Sequence, residues 1–263
     1  LKRGKEISKK TRSFLTWCNM PDTDINKWSL HSIQHKDLLD SILTKKKQIK
    51  LPKFKEQAMP EGELIYTANK EHQVYIDYLN RRGLAHNDYP FMVNPKAEGR
   101  QSLGIIIPYT YENKVVGSTI RFMDDRNPKF INDQQQGYVF GTDLQKDDWE
   151  VVLVFEGIFD AISMNGLALT HDTINDNQVA VINKLGKRVI VVPDQDQTGL
   201  GICERALELG YDVSLPNWSE DIKDANDAVI KYGRLNTLLS IIDSATNSKI
   251  KVEVMRNKIA KRI

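Results

Sequence analysis

The sequence predicts an α/β protein in which a domain built on a parallel sheet follows a smaller α+β subdomain. The runs Val151–Phe155 and Val189–Val192 are continuously apolar, as expected for strands that are covered on both faces. Helical patterns follow these runs at 158–165 and 201–209, and alternating strands and helices indicate a parallel sheet. Between 103 and 140, short apolar runs are instead separated by polar turns, which favours an antiparallel sheet.

In the first half of the chain, a Lys-rich region and a glycine mark the limits of the predicted segments. Residues 1–60 are rich in Lys and predict a basic N-terminal region that ends in a linker. Residues 66–84 carry apolar side chains at helical spacing, and Gly83 offers the stop of this helix. Residues 61–148 are predicted to form the small α+β subdomain, whose strands are expected at 103–107, 115–122, 129–132 and 138–140.

Residues 149–240 form the predicted parallel-sheet domain. A third strand at 213–215 and a helix at 225–232 follow the two apolar runs. The remaining residues, 241–263, predict a basic helical segment with apolar side chains along one side, namely Val252, Met255 and Ile259.

Positive charge is concentrated in three tracts. Residues 1–12, 45–55 and 249–263 hold 18 of the 37 Lys and Arg residues, although the net charge is only +2. Basic tracts on an acidic body predict phosphate contacts at the periphery and a centre that attracts metal ions. Solvated tails without a partner remain the alternative for each tract.

The composition also excludes several classes of protein. No run of 18 apolar residues is present, so we expect no membrane span and no membrane partner. Cys18 and Cys203 are far apart and cannot build a disulfide framework or a Cys-rich zinc site. We therefore expect a cytoplasmic protein with no zinc in this chain. The start of the sequence lacks both Met and an apolar signal core, so we expect an internal beginning.

Four carboxylates follow the three predicted parallel strands. Glu156 comes directly after the first strand, Asp194 and Asp196 come after the second, and Asp224 follows the third after a polar loop. Open α/β sheets bind their ligands at the carboxyl ends of the strands. Residues two apart in an extended segment point the same way, so Asp194 and Asp196 can face one site.

Magnesium explains why these carboxylates would gather. Like charges at short range raise one another's pKa, whereas Mg²⁺ or Mn²⁺ takes oxygen ligands and bridges carboxylates to phosphates. A single Asp-x-Asp is more often a turn or a helix cap, and Asp227 is predicted to cap a helix that begins near Ala228. The three acidic motifs in this order along the chain are a more specific signal of a metal site than any one of them alone.

The motifs that carry these carboxylates resemble the Toprim domain of DnaG-type primases, topoisomerases and some nucleases. Glu156-Gly157 and the segment 194–199 match the family's Glu-Gly and Asp-x-Asp motifs, and 223–227 looks like the third acidic motif of the primase branch. Upstream, the segments 117–121 and 128–132 resemble the N-terminal part of the primase polymerase core. Residues 62–263 resemble most the T4-type bacteriophage primases, although the family's zinc-binding domain is lacking.

The resemblance implies a DNA-directed RNA polymerase that makes short primers. Asp194, Asp196, Asp224 and Glu156 would hold the metals, with Glu156 as a positioning group or general base and Asp160 in support. Triphosphate or template contacts would come from four basic residues, Arg121, Lys129, Lys223 and Arg100. Phe130, which alternates with Lys129, is expected to fill the core.

The resemblance also implies partners and a cellular site. These partners are single-stranded DNA, ribonucleoside triphosphates, the RNA–DNA primer duplex and a replicative helicase. The expected location is the cytoplasm, that of the bacterial host if a phage encodes the chain. A Toprim nuclease and a non-catalytic DNA-binding factor of the RecR class are the two alternatives.

Overall fold

The computed structural model describes residues 9–27, 50–98, 102–170, 173–196 and 199–260. The chain divides into two compact units, Leu1–Ile49 and Lys50–Ile263. In the described part of the first unit, helix α1 (Lys9–Trp17) precedes a helical stretch at 22–27. This division does not test the predicted boundaries at 60, 148 and 240, which stay predictions.

The second unit begins with an antiparallel sheet of five strands, which confirms the predicted α+β character of this region. The sheet order follows the chain order: β1 (Glu63–Leu64), β2 (Met92–Val93), β3 (Gly104–Tyr111), β4 (Lys114–Phe122) and β5 (Phe130–Asp133). The central pair, β3 and β4, is joined by a tight turn at Glu112 and Asn113, both of which have positive φ. β3 is longer than predicted because it continues through Pro108, which pairs with Ser118 across the sheet.

Helix α2 (Gln73–Arg81) packs beside this sheet, and its C-terminus has a regular stop. Gly83 has φ +65° and the amide of Leu84 donates to the Leu79 carbonyl at 3.0 Å, while the Gly83 amide donates to Asn80. This pattern is a Schellman motif, which needs a residue that tolerates the left-handed conformation. The prediction that Gly83 ends the helix is confirmed, although α2 is shorter than 66–84 because a 3₁₀ turn at Lys70–His72 precedes it.

A four-stranded parallel sheet follows, in the order β7 (Leu167–Ala168), β6 (Val151–Phe155), β8 (Arg188–Val191) and β9 (Asp212–Val213). Alternate side chains of β6 face two different apolar clusters: Val152 and Val154 lie in one, and Leu153 and Phe155 lie in the other. The sheet is therefore covered on both faces, which is why its strands are continuously apolar.

Seven helices of the second unit's described residues supply the packing partners of the two sheets. Besides α2 they are α3 (Ile158–Met164), α4 (Asp176–Lys184), α5 (Ile202–Glu208), α6 (Ala225–Tyr232), α7 (Arg234–Ser244) and α8 (Lys249–Ala260). Helices α4, α5 and α8 contribute to the cluster that contains Val152, whereas α3, α6 and α7 contribute to the cluster that contains Leu153. The predicted C-terminal segment 241–263 contains the helix Lys249–Ala260, in which Val252 and Ile259 are buried, whereas residues 241–244 belong to α7.

The segment 138–140 joins the two sheets, although it does not form the predicted strand. Phe140 makes an isolated antiparallel bridge with Ala168 at the edge of the parallel sheet. The Tyr138 hydroxyl donates to the Thr110 carbonyl of β3 at 3.1 Å. Among the described residues, no helix combines the length and the apolar character needed to cross a bilayer.

Candidate active site

A cleft of about 560 Å³ lies between the antiparallel sheet and the carboxyl ends of the parallel strands. Four acidic residues line it, namely Glu156, Asp160, Asp194 and Asp224. Three of them follow different parallel strands and Asp160 lies in the first turn of α3. The prediction that these strand ends meet at one edge of the sheet is confirmed.

The pairing register of the antiparallel sheet determines which of its side chains form the opposite wall of the cleft. Thr119 pairs with Asn132 on β5, and Arg121 pairs with Phe130. Residues two apart on a strand share a face, so both pairs point to the same side of the sheet. These four side chains, together with Ile107 of β3, line the cleft.

The loop after β8 is held tightly against Glu156. The backbone amide of Asp194 donates to Glu156 Oε1 at 3.1 Å. Asp196 accepts a hydrogen bond from the Gly199 amide on Oδ1 at 2.9 Å, so this carboxylate fixes the turn that follows the strand. Asp196 is half-buried but lies outside the lining of the cleft, whereas Gln195 is buried and donates to the Pro216 carbonyl.

Asp160 and Asp224 meet at the start of α6. Asp224 caps this helix by accepting from the Asp227 amide at 2.7 Å, and the Asn226 amide donates to Asp160 Oδ1 at 2.7 Å. The helix spans Ala225–Tyr232, as the apolar pattern predicted, and Asp224 is its cap, so the prediction that Asp227 caps a helix near Ala228 is wrong. One carboxylate thus both starts a helix and faces the cleft.

Burial and mutual repulsion raise the pKa values of three acids in the cleft, Asp194, Asp160 and Asp224. Burial raises the pKa of Asp194 to about 8, and the charges of Glu156 and Asp224 add to this effect. Burial also raises the pKa of Asp160 well above its ordinary value, with further repulsion from Asp224 and Asp194. The pKa of Asp224 is raised mainly by burial, although the Asp227 amide and the positive charge of Arg82 oppose the rise.

The chemistry of this donor set fits a hard divalent cation. Carboxylate oxygens are the ligands that Mg²⁺ and Mn²⁺ prefer, and a cation would relieve the repulsion that raises these pKa values. The side chains are not gathered around one point, since no three His, Cys, Asp or Glu residues in the described ranges are arranged to hold a single ion. Water and substrate oxygens would complete the coordination, as is usual for Mg²⁺.

The predicted nucleotide-binding residues do not all reach the cleft. Arg121 lines it, and its Nε donates to the Tyr78 hydroxyl at 3.0 Å. Lys129 and Lys223 are exposed and lie outside the described lining, and Arg100 falls outside the residues that the structure describes.

Phe130 corrects one expectation from the sequence. It was expected in the core, but its side chain is 49% exposed and lines the cleft. The guanidinium of Arg121 lies over its ring, 4.9 Å from the centroid. The alternation of Lys129 and Phe130 indicated which side of the strand the ring occupies, but not whether another layer covers that side.

Several cleft residues were not predicted. Arg82 at the end of α2 and Asn226 at the start of α6 both line the cleft, and Asn226 Nδ2 donates to the Arg82 carbonyl at 2.7 Å. Asn226 lies inside the motif 223–227, which was the signal that could have singled it out. Thr119 and Asn132 lie inside the segments 117–121 and 128–132, but only the register of the antiparallel sheet places their side chains in the cleft.

We expect Gly199→Ala to disturb the site. A Cβ at this position would lie 2.3 Å from the Asp194 carbonyl oxygen and 2.7 Å from Glu156 Oε1. The loop must move, and we expect a loss of about 1–3 kcal/mol in the free energy of unfolding, measured by urea denaturation. Gly201→Ala is the matched control because a Cβ there would meet no atom of the surrounding structure within 4 Å beyond its neighbours in the chain. Equal stability of the two variants would contradict this packing.

Comparison with known proteins shows similarity to a curated DNA primase. A DNA primase from Clostridium acetobutylicum is 24% identical over 168 residues, which cover 54% of this chain and 28% of that protein. The aligned part therefore spans less than a third of the curated relative. No protein-family model matches the chain.

Solved primase structures have a similar architecture. A DnaG primase catalytic domain bound to single-stranded DNA matches with a TM-score of 0.58 at 15% identity, covering 75% of this chain and 79% of that one. The RNA polymerase domain of Mycobacterium tuberculosis primase DnaG, in complex with double-stranded DNA, matches with a TM-score of 0.56 at 16% identity, covering 74% and 86%. The chain has a mixed α/β fold that matches the DnaG primase catalytic core.

Proposed function

We propose that the chain is the polymerase core of a DNA primase, which makes short RNA primers on single-stranded DNA by metal-dependent nucleotidyl transfer. The observation that carries this proposal is the cleft, in which the acidic strand ends lie opposite Arg121 of the antiparallel sheet. The fold, which matches that of the DnaG catalytic core, supports the same reaction. A cleft with acids on one wall and a cation on the other suits a metal-bound triphosphate.

Four acidic residues of the chain would bind the metal ions that this reaction needs. Asp194, Asp196, Asp224 and Glu156 would hold Mg²⁺ or Mn²⁺. The bound metal would neutralise charge on the triphosphate and favour ionisation of the attacking 3′-hydroxyl.

Glu156 is held in place by the Asp194 amide, so it can orient a ligand or accept a proton in the cleft. Asp160 accepts a hydrogen bond from the Asn226 amide, so it would help to hold the start of α6 in place at the site.

The basic residues would contact phosphates of substrate and template. Arg121 is held by the Tyr78 hydroxyl and faces the cleft. Lys129, Lys223 and Arg100 would contact nucleic acid outside it.

The partners that we propose are single-stranded DNA, ribonucleoside triphosphates, the RNA–DNA primer duplex and a replicative helicase. The primases with similar folds were solved with single-stranded and with double-stranded DNA, which supports the nucleic-acid partners.

Finer parts of the proposal rest on the sequence motifs. Residues 149–240 would be a Toprim domain, and the chain would be a relative of the T4-type bacteriophage primases that works in the cytoplasm of a bacterial host. No zinc is proposed for this chain.

The decisive experiment combines the chain with single-stranded DNA, four ribonucleoside triphosphates and Mg²⁺. We expect short, template-dependent RNA products, resolved on a denaturing gel, that disappear when EDTA is added. Concentrated dinucleotide synthesis is the more sensitive version of the same assay. Cleaved DNA without RNA would contradict the primase proposal and favour a nuclease, and DNA binding without either product would favour a non-catalytic factor.

A further inference from the structure

Thr170 adopts an unusual backbone conformation at the edge of the cleft. It lies two residues after β7, lines the cleft and has φ +59°, in the left-handed region. This region is an outlier for a β-branched residue, because the Cβ atom lies too close to the following carbonyl oxygen. Such a conformation persists only where the surrounding structure imposes it, and residues of this kind cluster at functional sites.

Two hydrogen bonds connect Thr170 to both sides of the cleft. Its backbone amide donates to the Glu156 carbonyl at 3.1 Å, which ties it to the residue directly after β6. Its hydroxyl donates to Gln134 Oε1 at 2.5 Å, which ties it to the residue directly after β5. β5 carries Phe130 and Asn132, which line the opposite wall. Thr170 therefore links the strand end that bears Glu156 to the antiparallel sheet.

A buried glutamine of α4 holds the neighbours of this link in place. Gln178 is fully buried, and its Nε2 donates to the Leu169 carbonyl at 3.0 Å and to the Tyr138 carbonyl at 3.2 Å. Gln134 Nε2 also donates to the Tyr138 carbonyl, at 3.4 Å. Together with the Thr170 hydroxyl, these bonds close a ring that joins the two walls. A polar network paired in this way is rigid, so it can impose the left-handed conformation.

Glycine or asparagine would fit this backbone conformation better than threonine. Gly141, at φ +84°, and Asn165, at φ +51°, are the residue types that tolerate positive φ. Neither type would reproduce the link, because glycine has no side chain and asparagine has no hydroxyl. Threonine at position 170 therefore costs backbone stability but provides a hydrogen bond between the two walls, which is consistent with a role beyond the fold.

We infer that Thr170 is a positioning residue, which holds the strand end that bears Glu156 at the distance from the antiparallel sheet that the reaction in the cleft requires. The inference rests on the proposed function, from which it takes the reaction. A displacement of about 1 Å at a reacting group can lower a rate by about 100-fold. The link between Thr170 and Gln134 therefore acts on turnover more than on the binding of substrate.

The first test measures kcat and KM for dinucleotide synthesis in three variants at position 170. Thr170→Val keeps the branched shape but loses the hydroxyl, whereas Thr170→Gly loses both the hydroxyl and the strain. We expect both variants to lower kcat by about 10-fold or more and to change KM by less than about 3-fold. Thr170→Ser keeps the hydroxyl and should retain at least about a third of the wild-type kcat.

Thermal unfolding separates this role from a purely structural one. Thr170→Val should lower the Tm by several degrees, since it keeps the strain and leaves Gln134 Oε1 without its donor. Thr170→Gly should unfold within about 3 °C of the wild type, because relief of the strain offsets the lost hydrogen bond. Wild-type stability with a lower kcat is not expected of a residue that serves the fold alone. Asn165→Gly is the matched control, since Asn165 also has positive φ but lies outside the cleft lining, and it should keep the wild-type kcat.

Hydrogen exchange followed by mass spectrometry tests the link without any activity. Thr170→Val and Gln134→Leu each remove one partner of the hydrogen bond. Each should therefore speed exchange by about 10-fold or more in the peptides that cover both 134–140 and 166–170. Asn165→Gly should leave exchange in 134–140 unchanged. If the Val variant does not fold, Thr170→Gly and Gln134→Leu carry the comparison.

The outcomes separate the inference from the proposed function. The inference is overturned by full kcat in Thr170→Gly, by a loss in Thr170→Ser equal to that in Thr170→Val, or by unchanged exchange when either partner is removed. If exchange in both segments depends on the link but the wild type makes no RNA, the proposed function fails and Thr170 remains the residue that holds the two walls together. If RNA is made and the variants match the wild type in kcat and exchange, only the inference fails.

Discussion

We expect the Asp194→Asn variant to lose RNA synthesis by a factor on the order of 10³ while it still binds single-stranded DNA. Asp194 belongs to the acidic wall of the cleft, which is formed by Glu156, Asp160, Asp194 and Asp224. It interacts with the charges of Glu156, Asp224 and Asp196. Asparagine keeps the size of the side chain but removes the charge that a metal ion would need. The measurement is the initial rate of primer synthesis at saturating Mg²⁺, with DNA affinity measured by fluorescence anisotropy.

The control for this variant is Asp243→Asn, because Asp243 is an exposed carboxylate of α7 outside the lining of the cleft. It should make RNA at the wild-type rate. Asp194→Asn should also fold, since it removes repulsion from a crowded group of acids. If Asp194→Asn kept more than about a tenth of the activity, the carboxylates could not hold the catalytic metal as proposed.

The parallel sheet was predictable because its strands and turns carry local signals. Val151–Phe155 matches the observed strand residue for residue, since a short, β-branched run that is apolar throughout is typical of a strand covered on both faces. Ala225–Tyr232 also matches, between Asp224 as cap and Gly233 as stop. Helix α4 was missed although a capping box formed by Asn175 and Gln178 marks its start, a signal that the sequence does contain.

The acidic wall was predictable for the same reason, and the opposite wall was not. Glu156, Asp194 and Asp224 each follow a strand or its loop, and Asp160 lies in the first turn of the helix after Glu156, so the topology of the sheet brings them together. Arg82 and Asn226 are 144 residues apart, and their contact depends on how two helices dock. Phe130 shows the same limit, because alternation along a strand does not reveal whether a second layer covers it.

The second large effect that we expect is a pH-dependent stabilisation by divalent metal. In the unfolded chain Asp194 titrates near its ordinary pKa of 3.8, whereas in the folded chain its pKa is raised to about 8. Between these values the folded state binds more protons than the unfolded state, so without metal the stability falls as pH rises. Asp160 and Asp224, whose pKa values are also raised, contribute in the same direction.

Metal ions should reverse this loss because they replace the protons. At a concentration about 100 times the Kd, a ligand that binds only the folded state adds about 2.7 kcal/mol to the free energy of unfolding. We therefore expect Mn²⁺ or Mg²⁺ to raise the Tm by several degrees at pH 8 and by much less at pH 5.5, where protons compete, as measured by scanning calorimetry against EDTA.

In Asp194→Asn, stability without metal should fall less between pH 5.5 and 8, and the response to metal should be small. Asp243→Asn should behave like the wild type. A metal response that is equal at both pH values, or that persists in Asp194→Asn, would place the metal outside the acidic wall, since only ligands that must lose protons couple binding to pH in this direction.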